Sequence, residues 1–155
     1  MNSNTNSYRR FARRSLIGGT VALLGAGCSG STGGEPAPAD PTIAVEHFLA
    51  AVKANDLERL GHLWGTSKGP AAGRMPRDRL EKSLTVIRIY LQHESYAMEP
   101  GSSPADSPNE RVVRVRITRN GCTPTVPFTV VRWRSGWLVR AIDLEAAGNP
   151  ALRCG

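Results

Sequence analysis

The sequence predicts an α+β domain in which helices come first and an antiparallel sheet follows. Apolar residues in the stretch 41–64 recur at the three- and four-residue spacing of an amphipathic helix. Arg111 to Arg119 alternates apolar and polar residues, and Thr125 to Arg134 is dense in Val, Thr, Phe and Trp, patterns that are typical of strands. Residues 41–155 are long enough to form one domain with a single core.

The helix boundaries carry the clearest local signals. Asp40, followed by a proline, predicts an N-cap and the first turn of a helix. Asn55 predicts a left-handed end to that helix. Asp56 predicts the cap of a second, shorter helix that stops at Gly65. A third helix is expected from Pro76, and its apolar face comprises Leu80, Leu84, Ile87 and Leu91.

Three further stretches carry turn or strand signals. Thr66–Arg74 is rich in Gly and Lys and is expected to be a loop. Thr85–Tyr90 is β-prone, although it lies within the helical spacing, and a helix is favoured there. His93–Glu99 is expected to be the first strand, and Pro100–Asn109, which contains three prolines, an irregular excursion.

Ser135-Gly136 separates two strand-like runs and predicts a two-residue hairpin loop. With that loop, Trp133 faces Leu138 and Pro127 lies opposite Leu144. The last strand then ends beside the loop that precedes the second run, and the chain after it can fold back toward that loop.

Two of the three cysteines lie in the domain. The hairpin register places the end of the last strand beside the loop that contains Cys122, and ten further residues reach Cys154. A disulfide between them is expected in an oxidising compartment, with a stabilisation of about 3–4 kcal/mol. A zinc site is disfavoured because no histidine lies at ligand spacing from either cysteine.

The N-terminal residues 1–27 have the pattern of an export signal. Residues 1–14 contain four arginines and no acidic residue, and Leu16–Gly27 is apolar or small throughout. Twelve helical residues would span about 18 Å, well short of the ~30 Å hydrocarbon core, so no permanent transmembrane helix is expected. Arg13-Arg14-Ser15-Leu16-Ile17 resembles the twin-arginine export signal, and a general secretory signal with a basic start is the alternative.

Leu24-Gly25-Ala26-Gly27-Cys28 resembles the lipobox of bacterial lipoproteins, in which the cysteine receives diacylglycerol. The resemblance implies removal of residues 1–27, lipidation of Cys28 and anchorage to an envelope membrane on its periplasmic or extracytoplasmic face. Cleavage by the ordinary signal peptidase is the alternative. Residues 28–40 are rich in Gly, Ser and Pro and are expected to be a flexible tether before the domain 41–155.

The charge does not indicate nucleic acid as a partner. The formal charge is +7, but four of the twenty basic residues lie in the export signal, and the sixteen that remain against thirteen acidic residues give +3. Arginines that alternate along a strand are typical of a solvated face, and no basic run carries spaced aromatics. A mild attraction to anionic lipid headgroups is the most that this charge supports.

The stretches Ala44–Leu57 and Trp133–Leu144 resemble the nuclear transport factor 2-like family, also called SnoaL-like or cystatin-like. The resemblance implies a cone in which N-terminal helices pack on a curved antiparallel sheet of about four strands. The family includes enzymes, ligand carriers and adaptors, so the resemblance leaves the function open.

Asp143 is a weak catalytic candidate. The resemblance implies a pocket in which an inward carboxylate acts as acid or base, and Asp143 is expected to share a strand face with Val139 and Ala141. The alternative is a carboxylate at the rim that pairs with an arginine or with water. His93-Glu94-Ser95 is not expected to form a relay, because adjacent strand residues point to opposite faces.

No cofactor or metal motif is present in the sequence, so neither is expected. The large aromatic residues either line a ligand cavity or form the core, and they are Trp64, Tyr90, Trp133 and Trp137. The favoured hypothesis is a non-catalytic binding or assembly module for a small apolar ligand or a protein partner. The alternatives are a small isomerase or hydrolase that uses Asp143, and a homodimer through the sheet, which exposed apolar residues on one strand face would favour.

Overall fold

Helix α1 (Pro41–Ala54) begins and ends at the predicted capping residues in the computed structural model, which describes residues 36–104 and 107–154. The Asp40 carboxylate accepts hydrogen bonds from the backbone N–H groups of the first turn, at 2.7 and 3.2 Å. Asn55 ends the helix in the left-handed conformation, with φ of 61°. Helix α2 (Leu57–Leu63) follows at once, with Asp56 as its cap. These predictions are confirmed.

Helix α3 (Arg77–Leu91) includes the β-prone stretch Thr85–Tyr90, as favoured from the sequence. The helix prevails there because Leu84, Ile87 and Leu91 lie one helical turn apart and are all buried in the core. Among the described residues 36–104 and 107–154, no helix combines the length and hydrophobicity needed to cross a membrane.

The stretch Thr66–Arg74 is not a plain loop, and that expectation is wrong. It contains most of a small hairpin, β1 (Gly65–Thr66) and β2 (Gly69–Pro70), followed by a 3-10 turn (Ala71–Gly73). Gly69 permits the tight turn because its φ is 126°. The residue before β1, Trp64, forms a parallel bridge to Val139, so this segment covers the outer edge of the main sheet.

The main sheet contains four antiparallel strands in the order β3-β4-β5-β6. Their bounds are β3 (Ser95–Pro104), β4 (Glu110–Thr118), β5 (Thr125–Trp133) and β6 (Gly136–Ile142). Three helices pack against this curved sheet, which confirms the predicted α+β fold class.

Strand β3 extends through Pro104, so the expectation of an irregular excursion from Pro100 onward is wrong for its first residues. The pairing with β4 shifts between Met98 and Ser102, and Gly101 within the shift has φ of 72°. A proline, which lacks an N–H donor, is tolerated in a strand at a sheet edge or a bulge, and β3 provides both.

The hairpin between β5 and β6 turns one residue earlier than expected. Trp133 pairs with Gly136, so the loop consists of Arg134 and Ser135. Gly136 lies in the strand beside the chain that enters the domain. A glycine is required at this position because a Cβ would lie 2.2 Å from the carbonyl oxygen of Ala37. Pro127 lies opposite Asp143 rather than Leu144, since the Asp143 N–H donates to the Pro127 carbonyl at 3.1 Å.

A second register shift lies between β5 and β6. Thr129 pairs with Ala141 while the next residue, Val130, pairs with Val139, which leaves Arg140 as an extra residue on β6. An extra residue reverses the alternation of side chains beyond it. Arg140 extends to Glu110 on β4 instead, in an ion pair of 2.6 Å.

The core lies between α1 and the face of the sheet that we call the inner face. Phe48 of α1 and Phe128 of β5 meet edge to face with ring centroids 6.5 Å apart. The inner face is otherwise lined by aliphatic residues of β4, β5 and β6, namely Val113, Val115, Ile117, Val126, Val130 and Val139. All of these side chains are almost completely buried. Helices α2 and α3 add their apolar faces to the same core.

The predicted disulfide joins Cys122 to Cys154, whose Cα atoms are 4.9 Å apart. The Cys154 N–H donates to the Asn120 carbonyl at 3.0 Å, so backbone contact supports the covalent bond. Gly121, with φ of 77°, allows the approach, because a Cβ there would lie 2.0 Å from the Cys154 carbonyl oxygen. The chain after β6 is thereby held against the loop between β4 and β5.

We expect Cys122→Ser to lower the free energy of unfolding by about 3 kcal/mol, because the bridge closes a long loop in the unfolded chain. Denaturant unfolding of the oxidised protein measures this loss. The double variant Cys122→Ser/Cys154→Ser and the reduced wild-type protein are the matched controls and should show the same loss. Equal stability of the oxidised wild-type protein and the double variant would contradict the prediction.

Candidate functional site

Asp143 does not lie on the inner face of the sheet. Because Arg140 is an extra residue in β6, Val139 points into the core whereas Ala141 and Asp143 are exposed. The Asp143 carboxylate accepts a hydrogen bond from the Ala146 N–H at 2.9 Å and so caps the turn that follows β6. The prediction that Asp143 shares a strand face with Ala141 is confirmed. The prediction that it shares that face with Val139 is wrong.

The four large aromatic residues do not line one common cavity. Trp137 is buried in the core on the inner face, whereas Trp133 lies on the opposite face, against the Gly69 turn. Trp64 is partly buried, and its Nε1–H donates to the Arg140 carbonyl at 3.2 Å. The three tryptophans therefore brace separate parts of the sheet, and Tyr90 lies on α3.

An open cleft of about 540 Å³ lies at the disulfide end of the sheet. It is formed where the end of α3, the start of β3, the end of β4 and the C-terminal tail meet. The residues that line it are Ile89, Gln92, His93, Glu94, Arg119, Asn120, Pro150 and Ala151. We call this concavity the cleft.

Arg119 fixes two walls of the cleft. Its guanidinium donates one hydrogen bond to the Tyr90 carbonyl at the end of α3 and another, of 3.1 Å, to the Ala147 carbonyl of the tail. A cation at this position also complements the negative end of the helix dipole of α3. The third wall is tied by Glu94, whose carboxylate accepts from the Asn120 N–H at 2.9 Å. The cleft is therefore held open by its own hydrogen bonds.

His93 borders the cleft with its ring held in one orientation. Its Nδ1 lies 2.8 Å from the Leu91 carbonyl oxygen, and because a carbonyl can only accept, Nδ1 carries the proton. Nε2 is then the acceptor, and it is buried without a hydrogen-bond partner among residues 36–104 and 107–154. The ring packs edge to face on Tyr96, with centroids 5.4 Å apart, which fixes its orientation.

Apolar side chains border the polar groups of the cleft. Ile89 is 43% exposed on the α3 side, and Pro150 and Ala151 line the tail side. A pocket that combines apolar walls with a few polar groups is typical of a ligand site. The arrangement suits an apolar ligand that carries a polar group.

This site was not predicted from the sequence. His93 and Glu94 were expected to be neighbouring strand residues with opposite directions, but β3 begins at Ser95, so both border the cleft. The predicted disulfide did indicate that the tail returns to the loop at Cys122. Nothing in the sequence indicates that the end of α3 also reaches that point.

A second groove, of about 500 Å³, lies between α2 and α3. Leu57, Leu80 and Leu84 line it together with Glu58 and Arg77. These leucines pack against the core, so the groove is chiefly the seam where the two helices meet. No group of three or more His, Cys, Asp or Glu residues within the described ranges is placed to hold a metal ion.

The outer face of the sheet is the surface through which the alternative homodimer would form, and β4 presents arginines there. Arg114 and Arg116 are exposed on β4, and Arg114 donates to the Ser103 hydroxyl at 3.1 Å. In the part of the chain that the structure describes, the exposed large apolar residues are Ile43, Val86, Ile89, Tyr96 and Leu152. They lie on helices, on the tail or, for Tyr96, on the inner side of β3, opposite Ile117. The exposed apolar strand face that would favour the dimer is therefore not observed there.

No family model and no curated protein matches the chain. Among solved structures, the chain is similar to a phospholipid-binding protein from Ralstonia solanacearum, determined in complex with a phospholipid. The two sequences are 17% identical, the alignment covers 71% of this chain and 79% of that chain, and the TM-score is 0.37. A likeness of this extent supports no conclusion about function, which is inferred below from the geometry.

We expect Asp143→Ala to lower the free energy of unfolding by about 1 kcal/mol, because it removes one hydrogen bond from the turn after β6. Asp143→Asn retains an acceptor oxygen and should be close to neutral. Thermal and denaturant unfolding of both variants measure the difference. If Asn and Ala were equally destabilising, the charge of Asp143 rather than its capping bond would be the important property.

Partial burial raises the pKa of the Tyr96 phenol above its ordinary value of 10.0, and the negative charge of Glu46 raises it further. Because the folded state favours the protonated phenol, Tyr96 contributes to the free energy of unfolding, and this contribution is complete below about pH 10. It is lost as the pH rises through the folded-state pKa. Tyr96→Phe should remove the late component of an absorbance titration of tyrosinate, and Glu46→Gln should move it to lower pH. An unchanged late component in Tyr96→Phe would contradict this prediction.

Proposed function

We propose that this protein is an envelope lipoprotein, anchored through Cys28, whose nuclear transport factor 2-like domain is a non-catalytic binding or assembly module. Its partner, a small apolar ligand or a segment of another protein, binds the cleft. Residues 1–27 serve as the export signal, and the tether from Cys28 holds the domain at the extracytoplasmic face of the membrane. Cys28 and the export signal lie outside the described residues, so the anchor is proposed from the sequence.

The observation that carries the binding role is the contrast between the inner face of the sheet and the cleft. Phe48 and Phe128, with the aliphatic residues around them, occupy the inner face. An enzyme of this fold would need an inward, desolvated carboxylate, whereas Asp143 is exposed and caps a turn. The cleft instead combines polar residues, such as Arg119 and Asn120, with the apolar residues Ile89, Pro150 and Ala151.

The Cys122–Cys154 disulfide supports export, because such bonds persist in oxidising compartments and are rare in the cytosol. The bond also ties the tail to the rest of the cleft. A binding site at this position therefore depends on the same environment that the export signal predicts.

The anchor is tested by mass spectrometry of the protein from a lipoprotein-processing bacterium. We expect the mature chain to begin at Cys28 and to carry the mass of attached acyl chains. Cys28→Ala should leave residues 1–27 uncleaved or the mature chain unacylated. A mature N-terminus beyond residue 28 with no acyl mass would overturn the anchor.

The cleft is tested in cells by replacing Ile89 with the photoreactive residue benzoylphenylalanine. Light should yield one adduct of defined mass, which is a small increment for a ligand and a large one for a protein. The matched control places the same residue at Thr129 on the outer sheet face, where no such adduct is expected. Ala151→Trp, which fills the cleft, should abolish the adduct at position 89. Equal adducts at positions 89 and 129 would contradict a role for the cleft.

A further inference from the structure

The end of the sheet opposite the cleft carries a cluster of cations around two tryptophans. We call this region the turn end, because the β5–β6 turn lies within it. Arg132 and Arg111 lie over the ring of Trp137, with their guanidinium carbons 4.8 and 6.0 Å from its centroid. Arg134 lies over Trp133 at 4.6 Å. The aromatic faces hold these arginines at fixed positions on both sides of the turn.

The small hairpin adds two more cations to the turn end. Gly69 lies against the Trp133 ring, since a Cβ on it would be 3.3 Å from the indole nitrogen. Lys68 precedes Gly69 and is exposed. Arg74, also exposed, donates to the Lys68 carbonyl at 3.3 Å and so stays beside it.

Few of the described acidic groups offset this charge. Glu110 is paired with Arg140 at 2.6 Å, so that pair cancels. Asp40 lies near the turn end, and its carboxylate is held by the first turn of α1. Glu35 and Asp106 lie outside the described residues. The described part of the turn end therefore has five cations against one unpaired carboxylate.

The chain that leads from Cys28 enters the domain at the turn end. The Trp137 N–H donates to the Pro38 carbonyl at 2.8 Å, and Ala37 lies against Gly136. Pro38 is buried, so the last residues of the range 28–40 pack on the domain. Pro36 is eight positions after Cys28, and the connection between them spans at most about 29 Å when extended and about 15 Å as a coil.

We propose that the turn end lies on the anionic headgroups of the membrane that holds Cys28, and so orients the domain with the cleft pointing away from the lipid. This inference rests on the proposed anchor. The short connection keeps the cationic surface close to the bilayer, where it can approach to within a Debye length of about 8 Å. Strand β5 separates the two ends by about 27 Å, which places the cleft beyond the headgroups and open to a partner.

The test uses the lipidated chain with a spin label at Ser135→Cys, in the turn, or at Ala151→Cys, at the cleft. With Cys28 acylated and the other cysteines paired, the new thiol is the one that reacts. The protein is reconstituted in vesicles of phosphatidylcholine alone, or of phosphatidylcholine and phosphatidylglycerol in equal parts, each with a trace of paramagnetic chelate lipid. With phosphatidylglycerol, we expect the label at position 135 to relax several-fold faster than that at position 151. The difference should shrink in pure phosphatidylcholine and at high salt.

Charge variants separate docking from anchoring. Each Lys or Arg near an anionic surface strengthens binding about fivefold, so Lys68→Gln/Arg132→Gln/Arg134→Gln should lower the ratio of docked to undocked protein on the order of a hundredfold. The matched control removes three cations elsewhere, with Arg79→Gln/Lys82→Gln/Arg116→Gln, and should retain the difference between the labels. The charge-preserving variant Arg132→Lys/Arg134→Lys should also retain it, which shows that the loss of charge rather than of the arginine side chain is the cause.

The outcomes distinguish this inference from the anchor on which it rests. Flotation with pure phosphatidylcholine vesicles, followed by equal relaxation at both labels in the anionic vesicles, would overturn the orientation and leave the anchor intact. An equal effect of the two triple variants would also overturn it. Failure to float with pure phosphatidylcholine would overturn the anchor, and with it this inference.

Discussion

The packing of α1 on the inner face of the sheet is the interaction on which the other features depend. Phe48 and Phe128 are both fully buried where the helix crosses the central strands. Truncation of a buried phenylalanine typically costs about 3–5 kcal/mol, a large share of the stability of a small domain. Because α1 is fixed there, its N-terminal approach lies at the turn end, and Lys53 near its other end donates to the Glu94 carbonyl beside the cleft.

The two ends of the sheet are stabilised by different means. At the cleft, the Cys122–Cys154 bond and the Arg119 guanidinium tie the tail to β4 and α3. At the turn end, Gly136 leaves room for the incoming chain, and arginines stack on tryptophan rings. The cleft end has the features of a binding site, and the turn end is a cationic surface. This polarity follows from the order of elements, because the chain enters at one end and its tail returns to the other.

Local chemistry was the part of the fold that the sequence predicted well. Asp40, Asn55 and Asp56 act through groups within a few residues, so caps and helix ends could be inferred from neighbours alone. The disulfide was also inferred, because the hairpin reversed the chain toward Cys122. The one-residue error in the turn did not alter that reversal.

Register shifts were beyond the sequence pattern. The extra residue Arg140 pairs with Glu110, a contact 30 residues distant, and no alternation of residue types announces it. The error in the direction of Asp143 followed from this single residue. Likewise, Gly136 resembles a turn glycine in the sequence, but in the structure it accommodates the carbonyl oxygen of Ala37. The cleft was missed for the same reason, since four distant segments form it.

Both borders of the main sheet are interrupted. On one side, Pro100 lacks a donor and the shift in β3 disturbs the pairing edge. On the other side, the bridge from Trp64 to Val139 occupies part of the edge of β6. Copies of the domain crowded together in two dimensions would therefore find only short stretches of free edge for strand pairing, which disfavours polymerisation at high surface density.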